Sequence, residues 1–428
     1  GDVYKRQDKN DDLFVCGGTR SQTTLPISQT GVLQSQFNGG SSDGFVGLVD
    51  KLGLTSKTAT YWGTNSYDQI YFVETDKSDN VYVVGQTLTT GNFFVQNAAY
   101  SNSNSGLFIT KMTHELDSII WSTTIGSGSG RPNISPTAFL VDLCAKVYLT
   151  GWGANVGGTT VLSTQGMPVT PDAYSQTTDN NDVYMMVLND DASGLFYGTF
   201  FGSPSAADHV DGGTSRYSKK GILYQSVCAG CGGVSNFPTT PGAVSRTNNS
   251  PNCNNAVYKF DFTIKNVLAD FDIPEIPCLL PFTGTFNNTS TVVGDADFVW
   301  KFSDGLRSTD SNYTRIFTQP GLYTITLIAI DTASCNGIDS IEKRILILSN
   351  TVDSTTLPTR TICKTEITQI GVSPGQFGNV SYQWEPHPSL NELNVPNPFV
   401  SPDSTTTYTL YISKGVCTDT LKQTVVVF

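Results

Sequence analysis

The stretch from residue 299 to residue 331 constrains the fold of this chain most strongly. It opens with Val-Trp-Lys-Phe-Ser-Asp-Gly, so Trp300 and Phe302 lie on one side of an extended segment and polar residues lie on the other. Asp304-Gly305 is a hairpin turn pair, because glycine accepts the positive φ that such turns need. The alternation predicts a half-buried strand that ends in a tight turn.

A second turn, Pro320-Gly321, leads into a strand that places Tyr323, Ile325 and Leu327 on one face. Two strands, two turns and a buried tryptophan are typical of a β-sandwich. The pattern W-x-F-x-D-G followed by P-G-x-Y-x-I-x-L resembles the PKD domain, an immunoglobulin-like module of extracellular proteins. The resemblance covers residues 270–349 and implies display, adhesion or substrate docking, while it says almost nothing about chemistry.

The composition favours strands and turns. Charged residues make up only 14% of the 428 residues, and glycine, threonine, serine and asparagine take their place. We therefore expect an all-β protein. The net charge of −12 argues against a nucleic acid partner, which needs clustered Lys and Arg. No run of about 18 apolar residues occurs, so we expect no membrane insertion.

The first 260 residues contain a loose repeat of four short segments. Its first segment ends in a glycine that recurs at Gly17, Gly85 and Gly151. First segments occupy 13–19, 81–87, 147–153 and 223–230; second segments 43–49, 106–111, 182–187 and 256–260; third segments 60–63, 121–126 and 196–202; fourth segments 70–74 and 138–142. Four strands per repeat are typical of a propeller blade. The pattern resembles bacterial β-propeller repeats of surface proteins, which implies a partial propeller of three to four four-stranded blades over residues 8–265.

The chain opens inside a repeat, so we expect further blades upstream and give Gly1 to Gln7 no structural role. Beyond the PKD-like segment, residues 350–428 contain strands around Trp384. This last segment resembles the Ig-like repeats found beside PKD domains. The predicted order is therefore a propeller followed by two Ig-like β-sandwich domains.

Nine cysteines predict an oxidising, extracellular setting. Each small C-terminal domain carries two, which predicts one bridge in each, and a third bridge is favoured in the repeat region. The predicted pairs are Cys278–Cys335, Cys363–Cys417 and Cys231–Cys253. Zinc at Cys228, Cys231 and Cys253 is the alternative, but structural zinc needs four ligands and no histidine is near in sequence. The pairing of Cys16, Cys144 and Cys228 stays open.

Catalytic motifs find little support. Residues 40–44 fit G-x-S-x-G, but a strand rather than a helix follows, which favours a blade turn over a nucleophile elbow. The three histidines, His114, His209 and His387, are scattered singly, so no His-based catalytic site is predicted.

Two kinds of binding site are weighed. The acidic clusters at 8–12, 76–80 and 179–182 favour solvated turns, with weak calcium binding as the alternative and no other cofactor expected. Trp62, Trp121 and Trp152 recur near segment ends and are candidate glycan contacts; blade packing is the competing interpretation.

Together these features predict a non-catalytic, secreted or cell-surface binding or adhesion protein with protein or glycan ligands. The domain arrangement resembles gliding-motility-associated surface proteins of bacteria, and export is implied by that resemblance. The alternative is an accessory substrate-docking region of a secreted hydrolase whose catalytic domain lies outside this chain. A propeller hydrolase acting on polysaccharide would require paired carboxylates at the central channel.

Overall fold

A computed structural model describes residues 4–22, 25–28, 30–53, 55–154, 162–211, 215–218, 220–262, 266–275, 280–347, 355–373, 380–414 and 417–428. Within these ranges all regular structure is β, which confirms the all-β prediction. The chain divides into two compact units, Gly1–Ile264 and Lys265–Phe428.

Unit 1 contains four consecutive antiparallel sheets in which each strand pairs with the next along the chain. The first sheet comprises β1 (Tyr4–Gln7), β2 (Leu13–Thr19), β3 (Asp43–Val49) and β4 (Ser56–Trp62). The second comprises β5 (Asp68–Thr75), β6 (Val81–Thr87), β7 (Leu107–Met112) and β8 (Ile119–Ile125). The third comprises β9 (Ser135–Val141), β10 (Val147–Trp152), β11 (Val183–Leu188) and β12 (Leu195–Phe201). The fourth comprises β13 (Ser215–Tyr217), β14 (Ile222–Ala229) and β15 (Asn254–Asp261).

The repeat segments correspond to these strands, but the sheets group them differently. The fourth segment of the repeat, which ends in an acid, opens the following sheet instead of closing the preceding one. Segment 70–74, for example, lies in β5, the first strand of the second sheet. In the first sheet this place is taken by Tyr4–Gln7, whose residues pair with Leu13–Cys16 of β2. The expectation that residues 1–7 have no structural role is therefore corrected for residues 4–7.

Consecutive sheets share hydrophobic cores. The first and second sheets enclose Phe14, Trp62 and Phe108, and the second and third enclose Trp121 and Tyr184. A further core joins the third and fourth sheets. The first strands of successive sheets pack against each other in chain order, β5 against β1, β9 against β5 and β13 against β9. The two middle sheets are thus buried on both faces.

A five-residue turn joins the first two strands of the first three sheets, at 8–12, 76–80 and 142–146, and in the fourth sheet residues 218, 221 and 222 make the same main-chain hydrogen bonds. In every copy the first residue receives a main-chain hydrogen bond from the fourth and donates one to the fifth. The fourth residue has a positive φ and is Asp11, Asp79, Ala145 or Gly221. In three copies the first residue is aspartate, whose Oδ1 accepts the N–H groups two and four residues further on.

Unit 2 contains the strands of both predicted sandwiches. One three-stranded sheet has the order β16-β17-β20 and faces a four-stranded sheet of order β19-β18-β21-β22. Their strands are β16 (Phe271–Asp272), β17 (Phe282–Asn288), β18 (Asp297–Phe302), β19 (Arg307–Ser308), β20 (Tyr313–Phe317), β21 (Gly321–Ile330) and β22 (Ile338–Ile347). The remaining strands are β23 (Thr355–Ile362), β24 (Thr368–Gln369), β25 (Ser381–Trp384), β26 (Phe399–Val400), β27 (Thr406–Lys414) and β28 (Cys417–Val427).

The 299–331 stretch folds as its sequence pattern predicts. Trp300 is fully buried, and Phe302 lies in the same core. Gly305 turns the chain with a φ of 93°. Asp304 of the motif accepts a hydrogen bond at 3.1 Å from Arg315, whose guanidinium lies over the ring of Phe302. Asp304 therefore holds the guanidinium of Arg315 against the aromatic core.

The last segment also surrounds a buried tryptophan, Trp384, as expected. Its main sheet has the order β23-β28-β27-β25, and β23 runs parallel to β28. The sequence pattern gives no sign of this parallel pair, since an alternating segment does not show the direction of the strand beside it.

Candidate functional site

Two of the three candidate glycan contacts are core residues. Trp62 is 4% exposed, and its Nε1 donates to Thr110 Oγ1 at 3.1 Å. Trp121 is 3% exposed, and its Nε1 donates to the Asp190 carbonyl at 3.1 Å. The indole N–H groups are satisfied inside the protein, and the ring faces pack in the shared cores. The expectation of glycan contact at these two residues is corrected to packing between neighbouring sheets.

Trp152 has a different environment. It is half-buried at the end of β10 and packs beside the core of the third and fourth sheets. Its ring centre lies 5.7 Å from that of His209. Part of the indole therefore stays available to a ligand, next to a cluster of polar and sulfur-containing side chains.

That cluster comprises His209, Asp211, Cys228 and the Cys231–Cys253 disulfide. His209 and Cys228 exchange two main-chain hydrogen bonds, of 3.1 and 2.9 Å. The Cys228 thiol donates to Asp211 Oδ2 at 3.2 Å. Burial and the neighbouring Asp211 carboxylate raise the pKa of the Cys228 thiol, so it stays protonated at neutral pH. Sequence reasoning missed His209 and Asp211, because a non-local bridge brings them to the cysteines.

The disulfide predictions have different outcomes. Cys231 and Cys253 are bonded in the structure. Cys335 takes part in a disulfide, but its predicted partner Cys278 lies outside the described residues. Cys144 is also disulfide-bonded.

The Cys363–Cys417 prediction is corrected, because Cys363 is an exposed free thiol. It follows the end of β23, where Ile362 pairs with Val427 at the far end of β28. Cys417 is the first residue of β28, ten residues away from Val427. Ten residues of strand span about 33 Å, whereas a disulfide needs Cα atoms within about 7 Å. The parallel β23–β28 pair therefore separates the two cysteines.

The acidic clusters at 8–12 and 76–80 are the five-residue turns described above. Their first carboxylates use Oδ1 to accept turn amides, and Oδ2 also finds a protein partner. Asp8 Oδ2 lies 3.1 Å from His114 Nε2, and Asp76 Oδ2 lies 3.1 Å from Lys111 Nζ. In the 179–182 cluster, Asp179 Oδ1 accepts the Asn181 N–H at 2.9 Å. These oxygens hold turns together, which accounts for the acidic residues without a calcium ion.

The glycine that closes each aromatic segment lies between two polar side chains at a junction between sheets. A Cβ on Gly202 would fall 2.2 Å from Asp182 Oδ1 and 2.6 Å from Asp208 Oδ2. The equivalent sets are Gly63 with Asp43 and Asp68, and Gly126 with Ser105 and Asn133. Two of the three junctions thus bury a pair of carboxylates, and the middle one has neutral groups instead.

Burial raises the pKa of Asp43 to about 6, with a further contribution from the charge of Asp68. Burial likewise raises the pKa of Asp182 to about 6. Asp43 and Asp68 are both 0% exposed, and the Oδ1 atom of each has no hydrogen-bond partner. The junctions are therefore places where ionisation costs stability.

An Asp43→Asn variant is expected to be more stable than the wild type at pH 8, by up to about 2 kcal/mol. The pKa of Asp43 is higher in the folded than in the unfolded protein. The protonated carboxyl therefore contributes stability to the wild type below about pH 4, and this contribution is lost as the pH rises through 6. Asparagine does not titrate and retains an oxygen for the Asn38 amide. Calorimetric melting of unit 1 from pH 4 to 8 measures the effect.

The exposed variant Asp172→Asn is the control and should leave the pH profile of unit 1 unchanged. If the melting temperatures of the wild type and of Asp43→Asn change in parallel between pH 4 and 8, the Asp43 carboxyl does not titrate near pH 6.

The G-x-S-x-G segment is a structural turn, as expected. Ser42 is 7% exposed, and its Oγ donates to the Asp68 carbonyl at 3.0 Å. The chain then continues into strand β3. A hydroxyl held in this way is not presented as a nucleophile.

Comparisons with known proteins identify one domain. Residues 277–345 match the family described as PKD domain, so this segment is a PKD domain. No curated protein matches the chain by sequence. No helix within the described ranges has the length and apolar character needed to span a membrane.

Solved structures resemble parts of the chain only distantly. The PKD1 domain of Vibrio anguillarum Epp is 17% identical, covers 20% of this chain and 98% of its own, and has a TM-score of 0.18. The PKD1 domain of the Vibrio cholerae metalloprotease PrtV is 24% identical over 19% of this chain and 98% of its own, with a TM-score of 0.17. The N-terminal eight Ig domains of Down Syndrome Cell Adhesion Molecule are 10% identical to this chain. The match covers 100% of this chain and 69% of the other chain, with a TM-score of 0.23.

Proposed function

We propose that the protein is a non-catalytic binding or adhesion protein of the cell surface or the extracellular space. The observation that carries this proposal is the PKD domain at residues 277–345, because PKD and Ig-like domains are typical non-catalytic modules of extracellular proteins. The Cys231–Cys253 disulfide supports the same setting, since such bonds persist in oxidising compartments.

In this proposal residues 8–265 belong to a β-propeller, and sandwiches at 270–349 and 350–428 follow it. Four consecutive antiparallel sheets, each ordered along the chain, support the propeller. The packing of β5 against β1, β9 against β5 and β13 against β9 supports it further, because propeller blades contact their neighbours through their inner strands. The combination resembles that of gliding-motility-associated surface proteins, and we place the binding role at the cell surface on that resemblance.

The ligand in this proposal is a protein or a glycan. A chain with a net charge of −12 is a poor partner for nucleic acid. Among the candidate aromatic contacts, Trp152 keeps an accessible ring and the neighbouring His209 supplies a polar group. An indole face beside hydrogen-bonding groups is suited to stacking against a sugar ring or a peptide side chain.

A glycan array and a pull-down from cell-surface proteins, both with the purified full chain, test this function. We expect a limited set of ligands, and Trp152→Ala should weaken binding by about tenfold, the effect of losing one aromatic contact. The matched control is Tyr224→Ala, which removes an exposed ring from β14 of the fourth sheet. Hydrolysis of a bound polymer by the pure chain, or no ligand in either screen, would contradict the proposal.

A further inference from the structure

Three side chains with metal-binding atoms converge beside β14. The bridge between His209 and Cys228 sets these residues directly opposite each other. Asp211 follows His209 by two residues, so in extended chain its side chain lies on the same face. Ligand atoms of all three residues lie within 4.8 Å of one another. The pairing of these two chain segments, rather than chance surface proximity, therefore places the imidazole, the carboxylate and the thiol together.

The distances fit one tetrahedral metal ion. Zinc bonds of about 2.0–2.3 Å to nitrogen, oxygen and sulfur place neighbouring ligand atoms of a tetrahedron about 3.3–3.6 Å apart. His209 Nε2 lies 3.6 Å from Asp211 Oδ1, and Cys228 Sγ lies 3.2 Å from Asp211 Oδ2. The Asp211 carboxylate thus faces the imidazole with Oδ1 and the thiol with Oδ2, and it lies between the other two groups.

The surroundings orient the imidazole for such a role. His209 Nδ1 lies 3.7 Å from Cys231 Sγ, and this sulfur carries no proton because it is bonded to Cys253. In the neutral tautomer that makes this contact as a hydrogen bond, Nδ1 donates to the sulfur, and Nε2, which faces Asp211, is the nitrogen that can bind a metal. The Trp152 ring packs near the imidazole at 5.7 Å. Metal-binding histidines are commonly held in this way by a hydrogen bond from the other ring nitrogen.

We propose that His209, Asp211 and Cys228 bind one divalent cation of the zinc class, with a fourth position open to water or to a group of a binding partner. On binding, the Cys228 thiol becomes a thiolate and its proton passes to solvent. An imidazole, a carboxylate and a thiolate favour zinc over calcium or magnesium, which prefer oxygen ligands alone. The Cys231–Cys253 disulfide stays oxidised and takes no part in coordination, unlike the set of Cys228, Cys231 and Cys253 weighed from the sequence.

Titration of the full chain with Zn²⁺ under non-reducing conditions, followed by calorimetry, tests the site. We expect saturable binding of one equivalent per chain. Co²⁺ should give the intense visible absorption of a tetrahedral site together with a thiolate-to-metal charge-transfer band. Absence of one-equivalent binding, or Co²⁺ binding without the charge-transfer band, would overturn the proposal.

Variants locate the site. Cys228→Ser should weaken Zn²⁺ binding by at least about 100-fold and remove the charge-transfer band, since even outer-shell partners of metal ligands contribute 10- to 100-fold. Asp211→Asn should weaken binding while the band stays. The matched control is Cys363→Ser, which removes an exposed thiol outside the cluster and should change neither readout. Circular dichroism confirms that each variant is folded, and a folded Cys228→Ser protein with wild-type affinity would refute the assignment.

Discussion

Trp300→Ala is expected to lower the free energy of unfolding of the PKD domain by about 3–5 kcal/mol. The indole is completely buried, with ring centres 5.1 Å from Phe271 and 6.1 Å from Phe286. Its Nε1 donates to the Asp310 carbonyl at 2.9 Å. Alanine would leave a large cavity between the two sheets and remove the donor for that carbonyl. Urea denaturation of the full chain, monitored by tryptophan fluorescence and near-ultraviolet circular dichroism, should show an earlier transition for unit 2.

A matched control comes from the same sandwich. Ile316 on β20 is 61% exposed, so Ile316→Ala removes apolar atoms without opening a cavity. Its transition should stay within about 0.5 kcal/mol of wild type. Equal midpoints for Trp300→Ala and Ile316→Ala would show that this indole does not organise the sandwich.

Removing the Cys231–Cys253 bond by a double change to serine is expected to destabilise unit 1 by about 3 kcal/mol in the chain-entropy model. The two cysteines are 22 residues apart and close the loop that joins β14 to β15 at its base. That pair lies at the end of a sheet with three strands, where Asn248 Nδ2 also donates to the carbonyls of Gly230 and Asn252 at the base of the loop. Calorimetric melting and limited proteolysis between residues 230 and 253 measure the effect.

Cys363→Ser is the control for this experiment as well, because its thiol is unbonded and exposed. It should leave both the melting of unit 1 and the cleavage rate unchanged. An unaltered midpoint in the double variant would show that strand pairing alone holds the loop base.

Much of the local structure was predictable because its causes are local. Period-two alternation places Trp300 and Phe302 on one face, and the observed strand β18 buries both. The repeat glycines mark a close approach between neighbouring strands: a Cβ on Gly85 of β6 would fall 2.4 Å from the carbonyl oxygen of Gln69 on β5. Sequence periodicity records such constraints directly.

Pairing between distant segments was less predictable. The pattern does not say which strand neighbours which, and Tyr4–Gln7, which was assigned no role because it does not resemble the rest of the protein, pairs with β2. The same limitation produced the Cys363–Cys417 error, because only the parallel register of β23 and β28 shows that these residues lie at opposite ends. Trp62 and Trp121 were ambiguous for a related reason, since a strand-end indole packs in a core or faces solvent depending on the neighbouring sheet.

The candidate metal site illustrates the limit most clearly. His209 and Asp211 precede Cys228 by 19 and 17 residues, and no strand pattern marks their segment. The spacing His-x-Asp is the signal that was present, because two ligands on one face of an extended chain can share an ion. Its meaning emerges only when the bridge to Cys228 is known.

The five-residue turn explains why the repeats diverge so far in sequence. All of its main-chain hydrogen bonds close between the first, fourth and fifth residues. The side chains at the second and third positions are not needed to close the turn, and these positions read Lys-Asn, Lys-Ser and Leu-Cys in the three aspartate-led copies, with Cys144 of the last held by its disulfide. Substitutions of these two side chains therefore leave the main-chain hydrogen bonds of the turn in place, so copies that differ in sequence can join their strands in the same way.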